Sequence, residues 1–139
     1  MAIRPFVLLV DDDLEITETF TRILSAEGFE VRAASSTEAG LREAAQRQPD
    51  VIILEMRMPA LEGLGFLQRL RTDPHHADTV VAIVTGDYLV EEEEVSAAGR
   101  LGASVHFKPL WIEDLVTFTH DLLDRSQPAL GSRAMLLSG

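Results

Sequence analysis

Five short apolar runs punctuate the chain at Phe6–Val10, Phe29–Ala33, Val51–Leu54, Val80–Val84 and Val105–Phe107. Most are continuous rather than alternating and are rich in Val, Ile and Leu, the pattern of strands buried on both faces of a parallel sheet. Between them the period lengthens. Ile16, Phe20, Ile23 and Leu24 recur on one helical face, with Gly28 where a C-terminal cap belongs. Ser35 followed by Glu38 predicts a capping box opening a helix that runs to about Gln48, where Pro49 closes it. A third helix is expected from about Leu64 to Arg71, ending before Asp73-Pro74, and a fourth from Glu91 to Leu101 with Gly102 behind it. Ile112, Leu115, Val116, Thr119, Leu122 and Leu123 mark the inner stripe of a fifth.

Strand–helix alternation of this kind predicts an α/β, doubly wound parallel sheet with helices on both faces. In such sheets functional groups collect at the carboxyl ends of the strands. That rule selects Asp11 and Asp12 after the first run, Glu55 after the third, Thr85 after the fourth and Lys108 after the fifth. Four distant segments thus deliver three acids, a hydroxyl and the only lysine to one edge.

Composition narrows the possibilities. A chain of 139 residues fits one domain, and 46% hydrophobic residues suffice for a sizeable core. The net charge of −11, from 23 acidic and 12 basic residues, argues against direct nucleic-acid binding, which needs clustered Lys and Arg. The longest apolar runs are too short to span a bilayer, and Phe6–Val10 leads into Asp11-Asp12-Asp13 rather than a cleavage site, so we expect a cytoplasmic protein without membrane contact. The absence of cysteine excludes disulfides and thiolate metal sites. Residues 126–139 (SQPALGSRAMLLSG) lack amphipathic period and are expected to form a flexible C-terminal tail behind a domain of residues 1–125.

Clustered carboxylates must repel, share a proton or bind a cation. A hard ion such as Mg2+ takes one or two carboxylates plus waters and phosphate oxygens, so Asp11 and Asp12 are candidate ligands. A lysine opposite would stabilise an anion held by that metal, and a threonine hydroxyl could bond the same anion. These parts describe a phosphoryl-binding site that works by positioning and charge neutralisation.

The run VLLVDDD, the segment DVIILEMRMPALEG, VTGD after the fourth strand and FKPL after the fifth resemble the signatures of response regulator receiver domains. They fall in that family's order and cover roughly residues 5–125. The resemblance implies a CheY-like, flavodoxin-like fold of five parallel strands in the order 2-1-3-4-5 with five helices. It implies that Asp11 and Asp12 bind Mg2+, completed by the main-chain carbonyl of Arg57. It also implies that Glu55 stands at the phosphoacceptor position, Thr85 supplies the switch hydroxyl and Lys108 the anion-binding ammonium. Pro59 and Gly63 match the residues that shape the following loop, and Pro109 matches a proline commonly cis. Sensor kinases or downstream effectors would be the partners, and the face carrying Tyr88, His106 and Trp111 either meets them or serves simple packing.

Two departures from the family pattern bear on function. Glutamate carries its carboxylate one methylene further from the backbone than aspartate, roughly 1.5 Å. Its oxygen would intrude where an incoming phosphoryl group should sit and disturb in-line geometry. We therefore expect no acyl phosphate at Glu55, and a charge brought toward Lys108 and Thr85 that imitates a phosphorylated aspartate incompletely. The second departure is Val105, three positions before Lys108, where family members usually carry an aromatic switch residue. Either His106 takes that role through a shifted register or the Thr–aromatic coupling is absent; the latter is our expectation.

Other readings are weaker. Deliberate exchange of aspartate for glutamate, to make an engineered phosphomimic, would leave the same side chain at position 55. Asp11-x-Asp13 superficially resembles the nucleophile motif of haloacid-dehalogenase-type phosphatases, yet Leu14-Glu15-Ile16 follows where that family needs Thr or Val. Asp13 and Glu91–Glu94 are most simply acids favoured at helix N-termini. His75 and His76, behind Pro74, are expected to be exposed rather than metal ligands. The sequence contains no recognisable DNA-binding or catalytic output segment, so the expected role is a non-enzymatic interaction switch whose output comes from another protein or the tail.

Overall fold

The computed structural model describes residues 4–110 and 112–126. Five strands, β1 (Phe6–Val10), β2 (Glu30–Ala34), β3 (Val51–Leu54), β4 (Val80–Thr85) and β5 (Ala103–Phe107), form one parallel sheet in the order β2-β1-β3-β4-β5. Five helices connect and close it: α1 (Leu14–Ala26), α2 (Thr37–Gln46), α3 (Gly63–Thr72), α4 (Glu92–Arg100) and α5 (Ile112–Ser126). A 3-10 turn, Pro74–His76, leads from α3 to β4. The expected order and fold class are those observed. Ser126, expected to open the tail at residues 126–139, instead closes α5; the remainder of that expected tail, residues 127–139, and Trp111 lie outside the described residues.

Strand alternation sends successive side chains to opposite faces, and each face has its own core. Leu8, Val10, Ile52, Leu54, Val81 and Ile83 pack with Ala44 of α2, Phe66, Leu67 and Leu70 of α3, and Ala98 of α4. Val7, Leu9, Ile53, Ala82 and Val84 pack instead with Phe20 and Leu24 of α1 and Leu115 and Leu122 of α5. Every residue of β1 and β3 is buried, which is why their sequences run apolar without a break. Strand β5 starts two residues ahead of its apolar run, because Ala103 and Ser104 continue the ladder opposite Val81 and Ala82.

The helix boundaries follow local chemistry, with two differences from expectation. Ser36, not Ser35, caps α2, its hydroxyl accepting the Ala39 N–H at 3.0 Å. The helix also stops at Gln46, ahead of Pro49. Arg47 turns extended there, grips Glu30 with two bonds of 2.6 and 2.8 Å, and lays its guanidinium 4.3 Å from the Phe6 ring centroid. The two histidines also separate. His75 is exposed as expected, but His76 is buried, its Nδ1 3.2 Å from the Thr79 hydroxyl.

Gly63 fixes how α3 meets the end of β3. Its N–H donates to the Met56 carbonyl at 2.8 Å, and a Cβ there would lie 2.6 Å from the Glu55 carbonyl oxygen and 3.0 Å from Met56 Cα. Those obstacles are backbone and cannot swing aside. Gly63→Ala should therefore lower stability by about 1–3 kcal/mol, the usual cost of overpacking. Urea unfolding would show it as a reduced midpoint with unchanged slope, and an unshifted midpoint would contradict the contact.

Candidate functional site

Main-chain bonds carry the sheet one residue past its strands and so align the site. Asp11 N–H donates to Ala34, Glu55 N–H to Val10 and Lys108 N–H to Thr85, at 3.1, 2.9 and 2.9 Å. Each anchored residue then turns its side chain into the same pocket. The Lys108 ammonium lies 2.7 Å from Asp11 Oδ2 and 3.1 Å from Glu55 Oε1. Glu55 Oε1 also accepts the Gly86 N–H at 3.3 Å and Oε2 accepts the Arg57 N–H at 3.1 Å, while the Thr85 hydroxyl accepts the Asp87 N–H at 3.1 Å. Asp11 Oδ1 accepts the Asp13 N–H at 2.9 Å. The Lys108–Pro109 peptide bond is cis.

The structure thus joins Asp11, Glu55, Thr85 and Lys108 in one pocket. Asp12, by contrast, is exposed and makes no side-chain hydrogen bond among the described residues. Asp13 is spent elsewhere: it caps α1 by accepting the Ile16 N–H at 3.2 Å, which leaves no paired aspartates of the phosphatase kind.

Burial and charge work against each other here. Burial opposes ionisation of Glu55, yet the Thr85 hydroxyl, the Arg57 N–H and Lys108 outweigh it and hold its carboxyl below the ordinary value. For Asp11 burial prevails over Lys108 and the Asp13 N–H, and its carboxyl is pushed up. Burial would lower the Lys108 ammonium, but contact with Asp11 and Glu55 raises it instead.

Sequence reasoning gave Arg57 a role through its main chain and missed its side chain. The guanidinium donates to Asp87 at 2.8 Å, to Glu62 at 2.9 Å and to Glu94 through two bonds of 2.6 and 2.7 Å. It ties the loop after β3 to the loop after β4 and to the first turn of α4. Glu94 is doubly used, since its carboxylate also accepts the Glu91 N–H at 3.1 Å at the head of that helix. The only advance signal was an arginine amid an acidic surround, which names no partner.

The residues expected on a partner face also divide. Tyr88 stacks on Phe107 with ring centroids 5.7 Å apart and donates its hydroxyl to the Lys108 carbonyl. With Leu89 and Val95 they form the exposed large apolar side chains around α4 and β5. His106 lies on the other side of the sheet, 4.5 Å from the Phe118 ring of α5 and bonded to Ser104 at 2.8 Å. Strand parity explains this: His106 pairs with Val84, which faces α5, whereas Thr85 shares its face with Val81 and Ile83. A shifted register that brings His106 to Thr85 is thereby ruled out. Phe107, opposite Thr85 in register, is the aromatic that sequence reasoning passed over.

The Arg57 bonds hold the Glu94 and Asp87 carboxyls below their ordinary 4.5 and 3.8. A depressed folded-state value gives stabilisation that is present above the ordinary value and is lost as pH falls through the depressed one. Arg57→Ala should therefore flatten the decline of Tm between about pH 5 and pH 3. Calorimetric scans across that range would show two parallel acid limbs if the clamp contributed nothing.

Comparison with known proteins agrees with this architecture. Residues 7–119 match the family described as Response regulator receiver domain. The chain is 33% identical over 122 residues to the transcriptional regulatory protein PrrA of Mycobacterium tuberculosis, covering 87% of this chain and 51% of that protein. It is 30% identical over 133 residues to the response regulator MprA of Mycobacterium leprae, covering 95% and 57%. The chain therefore spans about half the length of the curated relatives it matches. Among solved structures, the chemotaxis protein CheY4 of Vibrio cholerae superposes with a TM-score of 0.79 at 26% identity, over 86% of this chain and 99% of that one. A CheY-like receiver domain protein of Methanospirillum hungatei superposes with a TM-score of 0.84 at 24% identity, over 91% and 99%, a likeness of fold. Because the family match runs from β1 well into α5, over most of the chain, the chain belongs to the response regulator receiver domains of two-component signalling.

Proposed function

We propose that this receiver works as a protein-interaction switch held without phosphorylation, with Glu55 where an aspartate would accept the phosphoryl group. The observation that carries the reading is the bond between Glu55 Oε1 and Lys108 at 3.1 Å. The ammonium that would steady a phosphoryl oxygen already has a carboxylate oxygen on it, as does the Gly86 N–H. Little remains for an incoming group to gain. One carboxylate carries less charge and fewer oxygens than a phosphate, so the imitation is partial.

The donors also suit a divalent cation. Asp11 and Glu55 against Lys108 leave a formal −1 in the pocket, Asp12 stands exposed at the next position, and all candidate ligands are hard oxygens. Asp11, Asp12 and the main-chain carbonyl of Arg57 would hold Mg2+. Bound there, the ion would neutralise the acids and orient an anion. The surface formed by Tyr88, Leu89 and Phe107, all exposed, would meet a sensor kinase or a downstream effector.

The test uses the purified chain, Mg2+ and a small acyl phosphate, read by intact-mass spectrometry. The wild-type chain should gain no stable phosphoryl group in the time that labels Glu55→Asp fully, a difference in rate of about a hundredfold or more, the scale on which misplacing a reacting atom acts. Stable label mapped to Glu55 would overturn the proposal.

A further inference from the structure

At the opposite end of the sheet from Lys108 lies a second charged feature of reversed sign. A cavity of about 510 Å3 opens between the end of α3, the start of β4, the turn before β5 and the end of α5. Its walls carry Arg71, Arg100 and Arg125, from three different helices, against one acid, Asp78. Three cations and one anion leave +2 there, in a chain whose net charge is −11. Val80 and Leu101 add apolar wall, and the volume falls in the range of small-molecule sites, roughly 300–1,000 Å3.

Arg100 and Arg125 sit in the last turns of α4 and α5, where a helix dipole alone would favour them. Arg71 is different. It is half-buried and already fixed by main-chain carbonyls: Nε donates to Leu101 at 2.8 Å, and Nη1 to His76 and Thr79 at 2.7 Å each. Its Nη2 has no hydrogen-bond partner among the described residues and is turned toward Gly102. That residue has a φ of +78°, and a Cβ there would come within 3.5 Å of Nη2. A donor held rigid by three carbonyls, with one edge of its fork left open, is pre-organised for an oxyanion.

We propose that this cavity binds a phosphate monoester, its oxygens on Arg71 Nη2 and the guanidinium groups of Arg100 and Arg125, with an apolar substituent against Val80 and Leu101. The site stands apart from the Lys108 pocket and does not depend on the proposed role of Glu55.

The test is an amide chemical-shift titration of the whole chain, in buffer free of divalent metal, with phenyl phosphate as probe and phenol as the neutral control. Saturable shifts are expected at Thr79, Leu101 and Gly102, with Gly86 unmoved and no response to phenol. Replacing both Arg100→Ala and Arg125→Ala, which leaves the Arg71 bonds intact, should weaken binding about tenfold or more at unchanged Tm. No saturable shift, an equal response to phenol, shifts centred on Gly86, or undiminished affinity in the double variant would each overturn the proposal.

Discussion

A lysine ammonium lying 2.7 Å from one carboxylate and 3.1 Å from another is a costly arrangement in a protein interior. Here the side chains of Lys108, Asp11 and Glu55 are only 14, 10 and 9% exposed. Desolvating such groups costs several kcal/mol each, and their attraction offsets it only when the geometry is good and the remaining lone pairs are bonded. The pocket meets that condition. Both carboxylates accept further N–H groups, and no buried side-chain polar atom of the described residues lacks a partner. Sheet register makes this possible, since the main chains of Asp11, Glu55 and Lys108 are each bonded to the neighbouring strand at the point where the side chain departs.

Much of this was legible in the chain itself, for identifiable reasons. Runs such as Val51–Leu54 are apolar without interruption because both faces of β3 are covered, and the rule placing chemistry at strand ends then picks out Asp11, Glu55, Thr85 and Lys108. What periodicity does not carry is partnership across loops. Arg57 reaches acids 5, 30 and 37 positions away, and only the folded backbone brings these together. His76 follows Pro74 in a polar stretch, yet the 3-10 turn tucks its ring under the chain beside Thr79. Ser36 rather than Ser35 caps α2 because two adjacent serines offer equivalent side chains, and only backbone phase chooses between them.

Strand parity also bears on signalling. Thr85 has no aromatic neighbour at Val105, and His106 points to the α5 side against Phe118. The aromatic pair at this end of β5 is Phe107 with Tyr88, exposed and joined to the site through the bond from Tyr88 to the Lys108 carbonyl. The Arg57 clamp fastens the start of α4 from the other side. The exposed patch of Tyr88, Leu89 and Phe107 is therefore braced by main-chain and ionic contacts around the pocket.

Because Lys108 is the chain's only lysine, 15N labelling of lysine gives one side-chain ammonium signal and reads the central contact directly. With Asp11 and Glu55 on the ammonium, that signal should exchange slowly with water and titrate above the ordinary 10.5. By linkage its contribution to stability should be fully present below 10.5 and fade as pH rises past the elevated value. A fast-exchanging ammonium that titrates at or below 10.5 would contradict the ion pair on which the account rests.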